Sequence, residues 1–203
     1  MRGQSPHSAR ISADVTLGNA PVSSGSHPGD VLLHQGIGLD AFNALPERKA
    51  VHALYECCNS LTMARHLAYD RSYPDHDALF RRADALLFAL PESAVDQILD
   101  ACPELGRRPR SEKSQAEQCS VWDEDAAVMA ELTESSRAYA ANFGFGFVMC
   151  CGTMEARTVL SAIADRLHND VETERKVVRN ELAKINRSRL ERMLGPEGGY
   201  QNW

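Results

Sequence analysis

The chain has few aromatic residues, no excess of positive charge and no long apolar run. Lysine and arginine number 22 against 28 aspartates and glutamates, which gives a formal net charge of −6. Because nucleic-acid binding depends on positive charge that neutralises phosphates, we expect no nucleic-acid partner. No apolar run approaches the roughly 18 to 20 residues that cross a bilayer, and the first residues lack the apolar stretch of a signal peptide. We therefore expect no membrane partner and a cytoplasmic location.

Residue spacing suited to metal ions is missing as well. The six cysteines include two adjacent pairs, Cys57-Cys58 and Cys150-Cys151, and none of the seven histidines falls in an HExxH or HxxxH pattern. With 43% hydrophobic residues the chain can build a core without disulfides, so its thiols are expected to be reduced. We therefore expect no metal site.

Composition divides the chain into one helical domain and two tails. Residues 1–36 are rich in Gly, Ser, Pro, His and Asn, a composition that cannot bury enough apolar surface to offset the entropy of ordering. We predict a disordered N-terminal tail there. Apolar residues at steps of three and four then predict a single all-α, multi-helix bundle over residues 37–195, followed by a short C-terminal tail at residues 196–203.

Start and stop residues set the expected helix boundaries in that bundle. Ser60 has the side chain of an N-cap, and we expect the short helix that it begins to stop at Tyr73-Pro74. Gly144 is expected to end a long helix, and Gly195 to end the last one.

Three features depart from a plain helical core. The run FGFVMCC at residues 145–151 predicts a short extended segment, whose backbone groups need partners from the protein or from a ligand. Ser114 and Glu117 have the spacing of a capping box at a helix start. Arg189 lies four residues after Ile185 on the apolar stripe of the last helix, where a buried guanidinium needs an anion. Each feature also has a purely structural explanation: a filled core for residues 145–151, a helix cap for Ser114 and Glu117, and an internal ion pair for Arg189. Composition does not decide between these explanations and a functional site.

Six short motifs occur in one order along the domain. They are Cys57-Cys58-Asn59-Ser60 for CCGS, Cys102-Pro103-Glu104-Leu105-Gly106 for HPxIG, Ser114 with Glu117 and Gln118 for SxxEQ, Tyr139 and residues 143–150 for FGFxFxxC, Arg166-Leu167-His168-Asn169 for RLxN, and Lys184-Ile185 with Arg189-Leu190 for KIxxxRL. In order and spacing, this set resembles the 2-oxo-4-hydroxy-4-carboxy-5-ureidoimidazoline (OHCU) decarboxylases of urate degradation, over nearly the whole domain.

The resemblance implies an all-α, usually dimeric enzyme without a cofactor, which releases carbon dioxide from OHCU, a small ureidoimidazoline, and forms (S)-allantoin. A homodimer is therefore expected. Such a site would use forked guanidinium donors for the oxygens of a small anionic substrate. The residues that the resemblance assigns are Cys102, Glu117 and Arg189 as catalytic groups, and Pro103, Ser114, Gln118, Phe147, Val148, Met149, Cys150 and Cys151 as substrate-binding groups.

Two positions depart from the family pattern. Cys102 stands where the family has a histidine that is regarded as the general acid/base, and Met63 stands where it has a tryptophan. Met63 is interpreted as a packing change. A thiol with an ordinary pKa near 8.5 can move a proton, although it is seldom interchangeable with imidazole near neutral pH. Three other histidines are candidates to replace the missing imidazole: His52, His66 and His168.

Two functional hypotheses follow from the Cys102 departure. In the first, the chain is an OHCU decarboxylase in which Cys102 donates the proton, or in which catalysis depends on Glu117, Arg189 and water. In the second, it is a paralogue that binds a ureide or purine-like ligand with weak or no decarboxylase activity. Loss of a general acid/base typically costs about 10² to 10⁴-fold in rate, so a slow enzyme is compatible with the first hypothesis.

Overall fold

The computed structural model describes residues 36–103, 105 and 121–196, and the regular secondary structure in these residues is entirely helical. The prediction of an all-α fold is confirmed. The helices are α1 (Leu39–Asn43), α2 (Glu47–Cys58), α3 (Leu61–Tyr69), α4 (His76–Ala89), α5 (Glu92–Asp100), α6 (Ala126–Phe143), α7 (Ala156–Arg166) and α8 (Val171–Leu194).

Local capping explains two of the predicted boundaries. The hydroxyl of Ser60 accepts a hydrogen bond from the backbone N–H of Met63 at 3.3 Å, as an N-cap does. Gly144 ends α6 with a φ of 79°, in the left-handed region that glycine adopts without a steric cost. Both boundaries are confirmed.

The end of α3 was predicted wrongly. The helix stops at Tyr69, before the predicted Tyr73-Pro74, because the residues that follow bond to the α1–α2 region. The guanidinium of Arg71 donates to the carbonyl of Leu45 at 2.8 Å, and the side-chain amide of Asn43 exchanges two hydrogen bonds with the backbone of Tyr73. The two bonds to Asn43 satisfy backbone groups of Tyr73 that a longer helix would have used, so tertiary contacts override the local stop signal.

The last helix, α8, is the central element of the bundle and packs against both α2 and α4. Its apolar stripe is buried as expected at Val178, Leu182 and Met193. The core continues into the neighbouring helices, where Met63 is fully buried on α3. No helix in the described ranges is long and apolar enough to span a membrane.

The carboxyl end of α8 is held by the first residues of the described chain. The N–H groups of Gly36, Ile37 and Gly38 donate to the carbonyls of Arg192, Met193 and Leu194 at 3.2, 3.0 and 2.8 Å. Carbonyls in the last turn of a helix have no partner within the helix, so these three bonds stabilise the end of α8. They fix the part of α8 on which the candidate site depends.

Candidate active site

A cavity of about 200 Å³ lies between the turn after α5, the chain that follows α6, and one face of α8. Eight of the eleven residues expected at the site line it. They are Cys102, Pro103, Phe147, Val148, Met149, Cys150, Cys151 and Arg189. The other three, Ser114, Glu117 and Gln118, lie outside the described residues.

Arg189 is buried in the wall of this cavity. Only 8% of the residue is exposed, so the predicted burial of this guanidinium is confirmed. Its Nη1 donates to the carbonyl of Cys57 at 3.1 Å. Cys57 lies in the last turn of α2, where carbonyls lack helical partners and the helix dipole favours a cation. The end of α2 therefore helps to hold a positive charge at the cavity.

Cys102 reaches the cavity from the turn that follows α5. It is half-buried, and its thiol donates to the carbonyl of Ile98 at 3.3 Å, within the last turns of that helix. The thiol is thus directed by the helix end, and it lines the same cavity as Arg189. A thiol and a buried guanidinium are therefore part of one cavity lining.

Residues 145–151 are non-helical, as predicted, and their backbone is anchored from two helices. Arg166 on α7 donates to the carbonyl of Val148 at 2.8 Å, and the N–H of Cys150 donates to the carboxylate of Glu181 on α8 at 2.8 Å. Within the described part of the chain, no acceptor is found for the N–H groups of Val148 and Met149. Both residues line the cavity.

A buried ionic network supports the segment. Glu174 on α8 is fully buried, and it accepts hydrogen bonds from the hydroxyl of Tyr139, from Arg166 at 2.5 and 2.8 Å, and from the amide of Asn169 at 2.7 Å. The guanidinium of Arg166 also lies 4.4 Å from the ring centre of Phe147. Both charges are paired, so the network can fix the segment without leaving a buried charge unsatisfied.

The network changes the pKa values of its members in opposite directions. Burial alone would raise the pKa of Glu174, but hydrogen bonds from Arg166, Tyr139 and Asn169 outweigh it and lower the pKa overall. The pKa of Tyr139 is raised, first by burial and then by its bond to Glu174. On the cavity side, burial raises the pKa of Cys151 to about 11, so this thiol stays protonated at neutral pH.

A sequence model described as OHCU decarboxylase matches residues 43–191. The chain belongs to the OHCU decarboxylase family. It is 31% identical over 121 residues to the mouse 2-oxo-4-hydroxy-4-carboxy-5-ureidoimidazoline decarboxylase, an alignment that covers 55% of this chain and 66% of the mouse protein. It is 22% identical over 146 residues to the Arabidopsis thaliana uric acid degradation bifunctional protein TTL, covering 68% of this chain and 45% of that protein. The chain therefore spans less than two thirds of the length of either relative.

Two solved structures share the fold of this family member. An OHCU decarboxylase crystallised in the presence of (S)-allantoin matches with a TM-score of 0.62 at 22% identity, over 69% of this chain and 95% of that one. A crystal structure of (S)-allantoin synthase matches with a TM-score of 0.63 at 18% identity, over 78% of this chain and 54% of that one. At these identities the likeness concerns the fold alone.

The three histidines named as candidates to replace the family's imidazole lie elsewhere. His52 and His66 line a shallow surface between α2 and α3, together with Tyr55 and Tyr69. His168 is exposed, and its ring nitrogen lies 2.9 Å from the carbonyl of Ala164. Among the described histidines, none lines the cavity with Arg189. The structure therefore gives no support to a substitute imidazole from these three positions.

The sequence analysis did not assign three residues of α8 to the site, although they line the cavity: Ile185, Ser188 and Arg192. Positions 185, 188, 189 and 192 are spaced by three and four, so they share one helical face with Arg189. That spacing is the signal that could have found them. Glu181 was missed for a different reason, since its bond to Cys150 joins residues far apart in the chain.

Proposed function

We propose that this OHCU decarboxylase family member catalyses the cofactor-free decarboxylation of OHCU to (S)-allantoin, a reaction of urate degradation. One observation carries the proposal: the buried Arg189 and the Cys102 thiol line the same small cavity, against the backbone of residues 145–151. A cavity of about 200 Å³ suits a small polar substrate more than a drug-sized one, for which pockets of roughly 300 to 1,000 Å³ are typical.

The reaction breaks the bond between a ring carbon and its carboxylate. Carbon dioxide leaves without the bonding electron pair, which passes into the conjugated ring, and one proton is taken up to form allantoin. Negative charge therefore develops on the ring atoms in the transition state. Arg189, held by the carbonyl of Cys57, and the N–H groups of Val148 and Met149 are donors that can stabilise this charge without reorganising.

The proton must reach the ureido-bearing carbon from one side to give a single enantiomer. Cys102 is proposed as its donor: the S–H bond breaks, the proton passes to carbon, and the thiolate regains a proton from water. Glu117 and Gln118, outside the described residues, are proposed to hold the ring and the hydroxyl, and Ser114 to orient them. Pro103 and Cys151 complete the proposed binding wall.

The proposal is tested with freshly generated OHCU. The purified protein is mixed with it, and the circular dichroism of the allantoin formed is followed against a buffer control. Faster appearance of the (S) enantiomer supports the decarboxylase. A rate equal to that in buffer contradicts it.

The departure at Cys102 favours a second candidate function, which is binding of a ureide or purine-like ligand with weak or no turnover. A thiol in place of imidazole is a poor proton shuttle near neutral pH. In Cys102→His, a rise in rate from a measurable wild-type value supports a slowed decarboxylase. Activity that arises from none, together with saturable ligand binding in the wild type, supports the binding protein.

We also propose that the protein is a cytoplasmic homodimer, as the family resemblance implies. Sedimentation equilibrium of the purified chain measures its mass directly. A mass near twice 22.4 kDa supports the dimer, and a mass near 22.4 kDa at working concentration contradicts it. Fractionation of cells that express the full chain tests its location.

A further inference from the structure

A second guanidinium, that of Arg192, belongs to the cavity and differs from Arg189 in its surroundings. Both residues lie on α8, three positions apart, and both line the cavity. Arg189 is buried, whereas Arg192 is exposed. Arg192 also borders an open depression on the surface, with Asp77, Phe80 and Arg187 among its other lining residues. It therefore stands where the cavity meets the surface.

The backbone of Arg192 is fixed, since its carbonyl accepts a hydrogen bond from Gly36 at 3.2 Å. Two acidic residues on the same helix already have cationic partners. Glu181 pairs with Lys184 at 2.6 Å, and Glu191 pairs with Arg187 at 3.2 Å. Residues 181–192 of α8 hold four basic and two acidic side chains, so this stretch has a formal charge of +2 in a chain whose net charge is −6, and it favours an approaching anion.

We propose that Arg192 is a specificity-determining residue that recognises the carboxylate of the substrate at the cavity mouth, while Arg189 serves the ring oxygens. This inference deepens the proposed function and rests on it for the identity of the substrate. It assigns different chemical work to the two arginines of one helical face.

The reaction itself explains this division. The carboxylate loses its charge as it becomes carbon dioxide, so any contact that favours the charged form is weaker in the transition state than in the bound substrate. A buried cation on the carboxylate would stabilise the substrate strongly and slow the reaction, whereas an exposed cation interacts weakly through water. The buried position of Arg189 instead suits charge that develops on the ring.

Steady-state kinetics of Arg192→Gln with OHCU test the inference. We expect KM to rise about 5-fold, the upper range for an exposed ion pair, and kcat to rise by a smaller factor, because the lost contact is weaker in the transition state than in the bound substrate. Arg192→Lys keeps the charge and should restore most of the affinity. The matched control is Arg187→Gln, which removes the same charge from the same helix outside the cavity and should leave KM unchanged.

Calorimetric binding separates this inference from the proposed function. The probes are allantoate, a ureide with a carboxylate, and neutral allantoin. Arg192→Gln should weaken allantoate binding about 5-fold in low salt, less at high ionic strength, and leave allantoin binding unchanged. If the wild type shows this difference without turning over OHCU, the decarboxylase proposal fails and the role of Arg192 stands. Four results would overturn the role of Arg192. In Arg192→Gln they are an equal loss of affinity for allantoate and allantoin, or a fall in kcat at constant KM. The others are the same effect in Arg187→Gln, or a wild type that binds none of these ligands.

Discussion

Two arginines near residues 145–151 differ in their partners, since Arg166 bonds to the backbone of Val148 and Arg189 lines the same cavity as residues 147–151. Arg166 forms an ion pair with Glu174, which is fully buried, and does not line the cavity. Arg189 lines the cavity, and its described hydrogen bond goes to a backbone carbonyl at the end of α2. The Arg166–Glu174 network is here called the wall side of the segment, and the lining that includes Arg189 is called its cavity side.

The comparison teaches that the partner of a buried charge indicates its role. A guanidinium saturated by a carboxylate, a tyrosine and a ring face contributes to the stability and order of the segment. A guanidinium that lines a cavity and donates to a carbonyl at a helix end brings a positive charge to that cavity. Substitutions at the two arginines or their partners should therefore affect different measurements. Loss of the Arg166–Glu174 pair should lower stability, and loss of Arg189 should lower activity.

The largest expected effect is on stability, from Glu174→Ala. The substitution leaves Arg166 without its buried carboxylate and removes the acceptor of Asn169, so we expect the free energy of unfolding to fall by about 3 to 5 kcal/mol. Urea denaturation measures it. Glu172→Ala, on the same turn but with 81% of its side chain exposed, is the matched control and should change far less. Equal losses in the two variants would contradict the assignment of Glu174 to the wall.

The next largest effect is on catalysis, from Arg189→Gln. Loss of a donor that stabilises developing charge should lower kcat about 10² to 10³-fold, roughly 2.7 to 4 kcal/mol of transition-state stabilisation. The free energy of unfolding should fall less than in Glu174→Ala, because Arg189 loses a carbonyl contact at a cavity wall. Single-turnover decarboxylation and urea denaturation of the same sample measure both. A kcat within tenfold of the wild type would remove Arg189 from the chemistry.

The cavity side of this comparison was largely predictable from the sequence. Arg189 follows Ile185 by one turn on an apolar stripe, and helical periodicity alone places it inward. The caps Ser60 and Gly144 are similarly local, since each satisfies backbone groups within three or four residues. The identity of Cys102 as a wall residue came only from the family resemblance, because nothing in its helix pattern distinguishes it.

The wall side could not be predicted, because its contacts join distant parts of the chain. Glu172 and Glu174 both lie in the first turn of α8, where acidic residues are favoured by the helix dipole. Their sequence context is nearly the same, yet one is exposed and the other is completely buried. The hydrogen bond from Tyr139 to Glu174 spans 35 positions, and no periodicity carries information over that separation.

A smaller effect is expected from Glu181→Gln, which changes the positioning of the segment. The variant keeps an acceptor for the N–H of Cys150 but loses the charge, at a cost of about 1 kcal/mol. Because Cys150 lines the cavity, we expect KM to rise about 5-fold with kcat nearly unchanged. Glu181→Ala removes the acceptor and should raise KM further, while an unchanged KM in both variants would show that the bond does not position the segment.

The smallest effect is a pH dependence of stability that belongs to the wall alone. The folded pKa of Glu174 lies below its ordinary value of 4.5, so the folded state favours the ionised carboxylate. Its contribution to the free energy of unfolding is fully present above pH 4.5 and is lost as the pH falls through the folded pKa. In urea denaturation from pH 6 downward, we expect the wild type to lose its advantage over Glu174→Gln below about pH 4.5, because protonation then removes the same charge that the substitution removes. A constant difference between the two proteins down to the acid limit would mean that the carboxylate charge of Glu174 does not stabilise the wall.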